Sequence, residues 1–148
     1  MSEVLYDVDG HVATLTLNRP DVRNSVNPEL TTALAAAMDR LEADPDVWVG
    51  ILTGTGATFC AGADLRDGGG SAGVFPGTFW EKPTTNSFES GWEVFKPGIA
   101  AVNGHCLGYG PTLGPWGGFV RAGPRARVRL PEVPTGLAAR VVRLRARP

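Results

Sequence analysis

At 148 residues, 43% hydrophobic and 20% charged with a net charge of −1, the chain has the make-up of one globular domain able to bury a core unaided. Its two cysteines, Cys60 and Cys106, exclude a disulfide framework and a CxxC pair, so a reducing cytoplasm is the expected compartment. No apolar run reaches membrane-spanning length, and Met1–Asp7 lacks the basic and apolar regions of a signal peptide, so no membrane association is expected.

The first periodic stretch, Val12–Leu17, alternates Ala13, Leu15 and Leu17 on one face with Val12, Thr14 and Thr16 on the other, and predicts a strand. The turn-rich segment Asn18–Asn24 follows. Asn27-Pro28-Glu29 then has the marks of a helix start: a capping amide, proline at the first helical position and an acid in the first turn. Leu30, Leu34, Met38 and Leu41 recur on one helical face, and Asp44-Pro45 stops the helix. Val47–Thr53 is nearly all apolar, which suits a strand buried on both faces. Gly54–Gly56 turns the chain into Phe59-Cys-Ala-Gly-Ala-Asp-Leu65, where four small residues in succession cannot fill a core. Residues 66–86 read as a glycine- and proline-rich loop, and Glu89–Phe95 as a short helix. Ile99–Val102 predicts a second buried strand, ended by Asn103-Gly104 and followed by a second small-residue stretch, Gly104–Gly110. Helix, apolar strand and glycine-rich turn thus occur twice, as in a repeating βα architecture with ligands at the strand ends.

Two glycine turns on neighbouring strands can aim two backbone N–H groups at one point, where a carbonyl oxygen would be polarised and an enolate stabilised more than its ground state. Pattern alone also allows plain strand-to-helix connections, the commoner use of glycine. Nucleotide-binding loops are not indicated: there is no GxxxxGK[ST], and Gly54-Thr-Gly56 lacks a third glycine. Cys60 and Cys106 sit among apolar residues and read as inert packing, and His105 as a turn residue. From Arg121 onward eight arginines face one acid, Glu132. That basic run lacks aromatic interleaving and finger spacing, so no nucleic-acid partner is expected.

Together, Leu17–Asn27 (LNRPDVRNSVN), Phe59–Leu65 (FCAGADL), Lys96–Gly110 (KPGIAAVNGHCLGYG) and Arg129–Leu137 (RLPEVPTGL) resemble the crotonase, or enoyl-CoA hydratase/isomerase, family. The resemblance implies an α/β fold, a crotonase-like spiral of repeating ββα units, spanning residues 1–137, with 138–148 as an arginine-rich tail unlike the family. It implies an acyl-CoA thioester as substrate, with coenzyme A part of that substrate, no separate cofactor and no metal. Carried over by position, the N–H groups of Ala63 and Tyr109 would hold the thioester oxygen. Arg23 would lie near the CoA phosphates, and Ala61, Gly62, Asp64, Leu65 and Gly108 would line the acyl-CoA site.

The family's hydratases use two glutamates. The second falls on Glu132, the expected proton carrier, but the first falls on Thr112, whose hydroxyl cannot act as a base near neutral pH. One glutamate suffices to move a proton between two carbons, so isomerase-type chemistry is expected over hydration. The alternative is a non-catalytic remnant that binds CoA esters weakly or not at all. Pro115 and Gly117-Gly118 disfavour the helix expected after the second turn. The family's long C-terminal helical region, which covers the site and makes trimer contacts, is expected to be missing, so homo-trimer contacts are not expected.

Overall fold

A computed structural model describes residues 2–67, 94–113 and 118–131. Two strands, β1 (Val4–Asp9) and β2 (Val12–Leu17), form an antiparallel hairpin across Gly10-His11, with Asp9 opposite Val12. Gly10 supplies the left-handed backbone (φ 56°) that so tight a connection needs. The Pro20–Val22 turn leads to α1 (Pro28–Ala43), which begins as its sequence predicts: Asn27 Oδ1 accepts from the Leu30 N–H at 2.9 Å, with Pro28 at the first helical position. Leu30, Leu34, Met38 and Leu41 are buried against the sheet, each leucine contributing about 1.5–3 kcal/mol of apolar burial.

Next come β3 (Val49–Gly54), β4 (Thr58–Cys60), β5 (Gly98–Val102), β6 (His105–Leu107), the short α2 (Gly110–Leu113), β7 (Gly118–Ala122) and β8 (Arg127–Arg129). Among the described residues, one sheet has five strands in the order β1-β2-β3-β5-β7 and a second has three, β4-β6-β8. Each successive pair, β3–β4, β5–β6 and β7–β8, gives one strand to each sheet, and every neighbour after the hairpin is parallel. This is the α/β spiral the resemblance implies.

Several local expectations are corrected. β3 alternates buried Gly50, Leu52 and Gly54 with half-buried partners rather than being buried on both faces, and Trp48, just before it, is 62% exposed and stacked on His11 at 3.7 Å. The two small-residue stretches are not only turns. Thr58–Cys60 and His105–Leu107 are the first two strands of the second sheet, so His105 is an exposed strand residue and not part of a turn. Three residues per strand are too few for an alternating pattern to emerge. The expected helix at Glu89–Phe95 lies largely outside the described residues, as do Pro115, Gly117 and the 137/138 boundary.

Lys96, just before β5, clasps the end of α1. Its Nζ donates to the Leu41 carbonyl at 2.8 Å and to that of Asp44, while Glu42 Oε2 accepts from the Phe95 and Lys96 N–H groups at 3.1 and 3.3 Å. A cation on the last carbonyls of a helix meets both their unfilled acceptors and the negative end of the dipole.

Candidate functional site

Loop 18–27 is held by a side chain. Asn24, fully buried, donates from Nδ2 to the carbonyls of Thr55 (3.0 Å) and Thr58 (2.8 Å) and accepts at Oδ1 from the Arg19 N–H (2.9 Å). Both Arg23 and Asn24 take left-handed φ of 55°, and this side-chain anchoring offsets that strain. The loop in turn holds the strand that leaves β4. The Arg23 carbonyl accepts from Ala61 N–H at 3.0 Å, and the Arg23 residue itself is exposed.

Beyond Ala61, the chain pairs with Val26. Val26 N–H donates to the Gly62 carbonyl at 2.8 Å, and Asp64 N–H donates to the Val26 carbonyl at 2.8 Å. The Gly62 carbonyl and the Ala63 N–H belong to one trans peptide plane and so point in opposite directions. Val26 therefore fixes the direction of the Ala63 N–H, which faces away from Val26 and has no acceptor among the described residues.

Gly62 is where this strand meets the second turn. A Cβ on Gly62 would stand 3.1 Å from the Leu107 carbonyl oxygen, 3.4 Å from the Tyr109 nitrogen and 3.5 Å from Gly108 Cα, and its φ of 97° is foreign to residues with side chains. Only a glycine lets the two segments approach this closely. The Gly108 N–H donates to the Arg129 carbonyl at 3.0 Å, which ties the same turn to β8. From β8 the chain continues to Pro131, the residue before Glu132, along a groove of about 390 Å³ lined by His105, Leu107, Arg127, Arg129 and Pro131.

The structure therefore brings Arg23, Ala61, Gly62, Ala63, Gly108 and Tyr109 into one neighbourhood. Tyr109 is half-buried against the core, and Leu65 is 68% exposed beside the strand. Glu132 lies outside the described residues, and of Thr112 only its place in α2 is described. The Asp64 side chain faces inward. Its Oδ2 accepts from Ser25 Oγ (3.0 Å) and Arg19 Nη1 (3.0 Å), and its Oδ1 from the Arg66 N–H (3.2 Å). Burial alone would raise its pKa, but the hydrogen bonds from Arg66, Ser25 and Arg19, with the Arg19 charge, outweigh burial and hold it below the usual carboxylate value.

Arg19 also reaches the Ser25 carbonyl (2.6 Å) and Glu3 Oε2 (2.9 Å). Arg19 and Asn24 carry much of this geometry, yet in the sequence they look like any polar residues around Pro20. Cys60 and Cys106 are buried, and burial pushes both thiols up to about 12, leaving them protonated packing groups. Among the described residues no cluster of His, Cys, Asp and Glu could hold a metal, and no helix is long and apolar enough to cross a membrane.

Comparison with known proteins bears on the family and the fold. The family described as enoyl-CoA hydratase/isomerase matches residues 7–146. The chain is 42% identical over 123 residues to the probable enoyl-CoA hydratase EchA14 of Mycobacterium tuberculosis, covering 83% of this chain and 48% of that protein. It is 39% identical over 136 residues to the mevalonyl-coenzyme A hydratase SIDH of Beauveria bassiana, covering 87% and 49%. Among solved structures, an enoyl-CoA hydratase/isomerase from Mycobacterium paratuberculosis superposes with a TM-score of 0.75 at 39% identity, over 93% of this chain and 52% of that one. The chain spans about half the length of the curated relatives it matches.

Proposed function

The chain belongs to the enoyl-CoA hydratase/isomerase family, and from that premise we propose that its paired glycine turns bind the thioester carbonyl of an acyl-CoA and stabilise its enolate. The observation that carries this reading is the close approach of Gly62 to the Tyr109 nitrogen, beside an Ala63 N–H aimed away from its own ladder. Preorganised amides at a developing oxyanion contribute strongly to catalysis, since removing one such donor costs about 10²–10³ in rate.

Glu132 then removes the α-proton of a β,γ-unsaturated acyl group. The electron pair moves onto the thioester oxygen between the Ala63 and Tyr109 amides, and the proton returns at the γ-carbon, shifting the double bond into conjugation. Arg23 draws in the CoA phosphates, Leu65 offers apolar contact to the pantetheine arm, and Ala61 and Asp64 contribute backbone. Hydration requires a second group to deprotonate water, and Thr112 cannot supply a carboxylate's basicity. No group beyond the substrate's own coenzyme A takes part. Cytoplasmic residence fits the two unpaired, buried cysteines.

The test follows but-3-enoyl-CoA and crotonyl-CoA in deuterated buffer, recording double-bond shift, deuterium uptake and hydration separately. The expected result is isomerisation with deuterium uptake and little hydration, lost by about 10²–10⁴ in Glu132→Gln. Efficient hydration persisting in Glu132→Gln would overturn the assignment. Binding of crotonyl-CoA without exchange would select the non-catalytic reading, which the threonine at position 112 favours.

A further inference from the structure

We infer that Arg19 and Asp64 are positioning residues that aim the Ala63 amide, an inference that rests on the oxyanion role proposed above. The pair sits nearly out of solvent, with side chains 16% and 9% exposed and Arg19 Nη1 3.0 Å from Asp64 Oδ2. A buried ion pair is a poor source of net stability, because desolvation cancels most of its attraction. Its value here lies in what one guanidinium gathers. Arg19 Nη1 contacts the Ser25 carbonyl at 2.6 Å as well as Asp64, Ser25 Oγ closes the triangle onto Asp64 Oδ2 at 3.0 Å, and Nε reaches back to Glu3 at the start of β1.

Ser25 and Asp64 each adjoin a member of the Val26–Ala63 pairing. The guanidinium therefore clamps both strands at or next to the residues that make the two hydrogen bonds, each 2.8 Å, that orient the peptides flanking Ala63. A small rotation of the Gly62–Ala63 peptide moves its N–H off the point shared with Tyr109, and hydrogen bonds weaken steeply with such misalignment. Gly62 cannot resist that rotation itself, since it has no side chain to restrict its backbone. The restraint has to come from outside the turn, and the Arg19–Asp64–Ser25 triangle supplies it.

Asp64→Asn keeps the shape while removing the charge, and Arg19→Lys keeps the charge while removing the planar fork whose Nη1 holds Ser25 and Asp64 while its Nε holds Glu3. The probe is acetoacetyl-CoA, whose enolate absorbs in the near ultraviolet, titrated beside free CoA, with urea unfolding of each variant as a control. In the wild type, bound acetoacetyl-CoA is expected to develop the enolate band. Both variants should retain cooperative unfolding and lose enolate about tenfold or more, approaching the loss of one oxyanion donor, while Arg19→Lys binds free CoA within about twofold. Ser25→Ala, which leaves the ion pair in place, should lose less than either and serves if the others do not fold. An undiminished band in these variants would overturn the positioning role, as would a fall in enolate in Arg19→Lys matched by an equal fall in its affinity for free CoA. A wild-type protein that binds acetoacetyl-CoA with no enolate band would instead refute the oxyanion reading itself, and the inference with it.

Discussion

Replacing Asn24 with aspartate changes one atom type in a fully buried side chain and should make the protein's stability depend on pH in a new direction. Asn24 Nδ2 donates to two carbonyls, those of Thr55 and Thr58, at 3.0 and 2.8 Å. In Asn24→Asp an ionised oxygen would face both acceptors, with both donated bonds lost. Each net bond contributes about 1 kcal/mol and each abandoned buried acceptor costs more, so the expected loss near neutral pH is about 2–4 kcal/mol.

Protonation restores one donor. Burial and the two carbonyls disfavour the charged form, so the new carboxyl's folded pKa rises above its unfolded value of about 3.9. A raised folded pKa means that the native state holds the proton longer. The variant's deficit should therefore be smallest below the unfolded pKa and grow as pH rises through the folded one. Wild-type Asp64 acts in the opposite sense: its lowered pKa gives stability that is present above the unfolded value and lost as pH falls through the folded value. Urea unfolding of both proteins across a pH series separates the two effects. A deficit below about 0.5 kcal/mol, the range of an ordinary surface substitution, or one independent of pH, would refute the reasoning.

Gly62→Ala should cost about 1–3 kcal/mol from its φ of 97° and its contacts with Leu107 and Tyr109, and should weaken acyl-CoA binding more than free-CoA binding; calorimetry with both ligands reads this, and equal losses would count against it. Lys96→Met should cost about 1–2 kcal/mol in urea unfolding through the uncapped end of α1. A larger share regained by Lys96→Arg than by Lys96→Gln would identify charge as the cause. Arg23→Ala should weaken CoA-ester binding by about 1–2 kcal/mol. Stability should stay within about 0.5 kcal/mol because the side chain is exposed. An unchanged dissociation constant would make Arg23 a solvated charge.

The elements that the sequence makes legible are those whose periodicity runs long enough to be read. β2 alternates over six residues and α1 over sixteen with its cap and stop, and both match expectation to within a residue or two. β4, β6 and β8 have three residues each, and they become strands because they pair with one another across long stretches of chain. At the site, the glycines were visible because close approach demands them. Arg19 and Asn24 were hidden because their partners, Asp64 and the Thr55 and Thr58 carbonyls, lie more than thirty residues away along the chain. Motif order pointed to the family, but which side chain orients which peptide is a property of the fold alone.

The order of the sheet also bears on how fast the chain can reach it. Among the described strands only β1 and β2 are joined locally, and a hairpin of this kind closes in about 1–10 μs. Every later ladder must wait for a distant segment: Val12 for Val49, Gly50 for Gly98, Thr58 for His105. Loop closure costs entropy before any of these contacts returns stability, which puts such topologies in the millisecond-to-second range. During that interval the free edge of β2 stands open, with Ala13, Leu15 and Leu17 on a face that only the finished molecule covers. Refolding yield should therefore fall with protein concentration, because a second chain can reach that edge before β3 does.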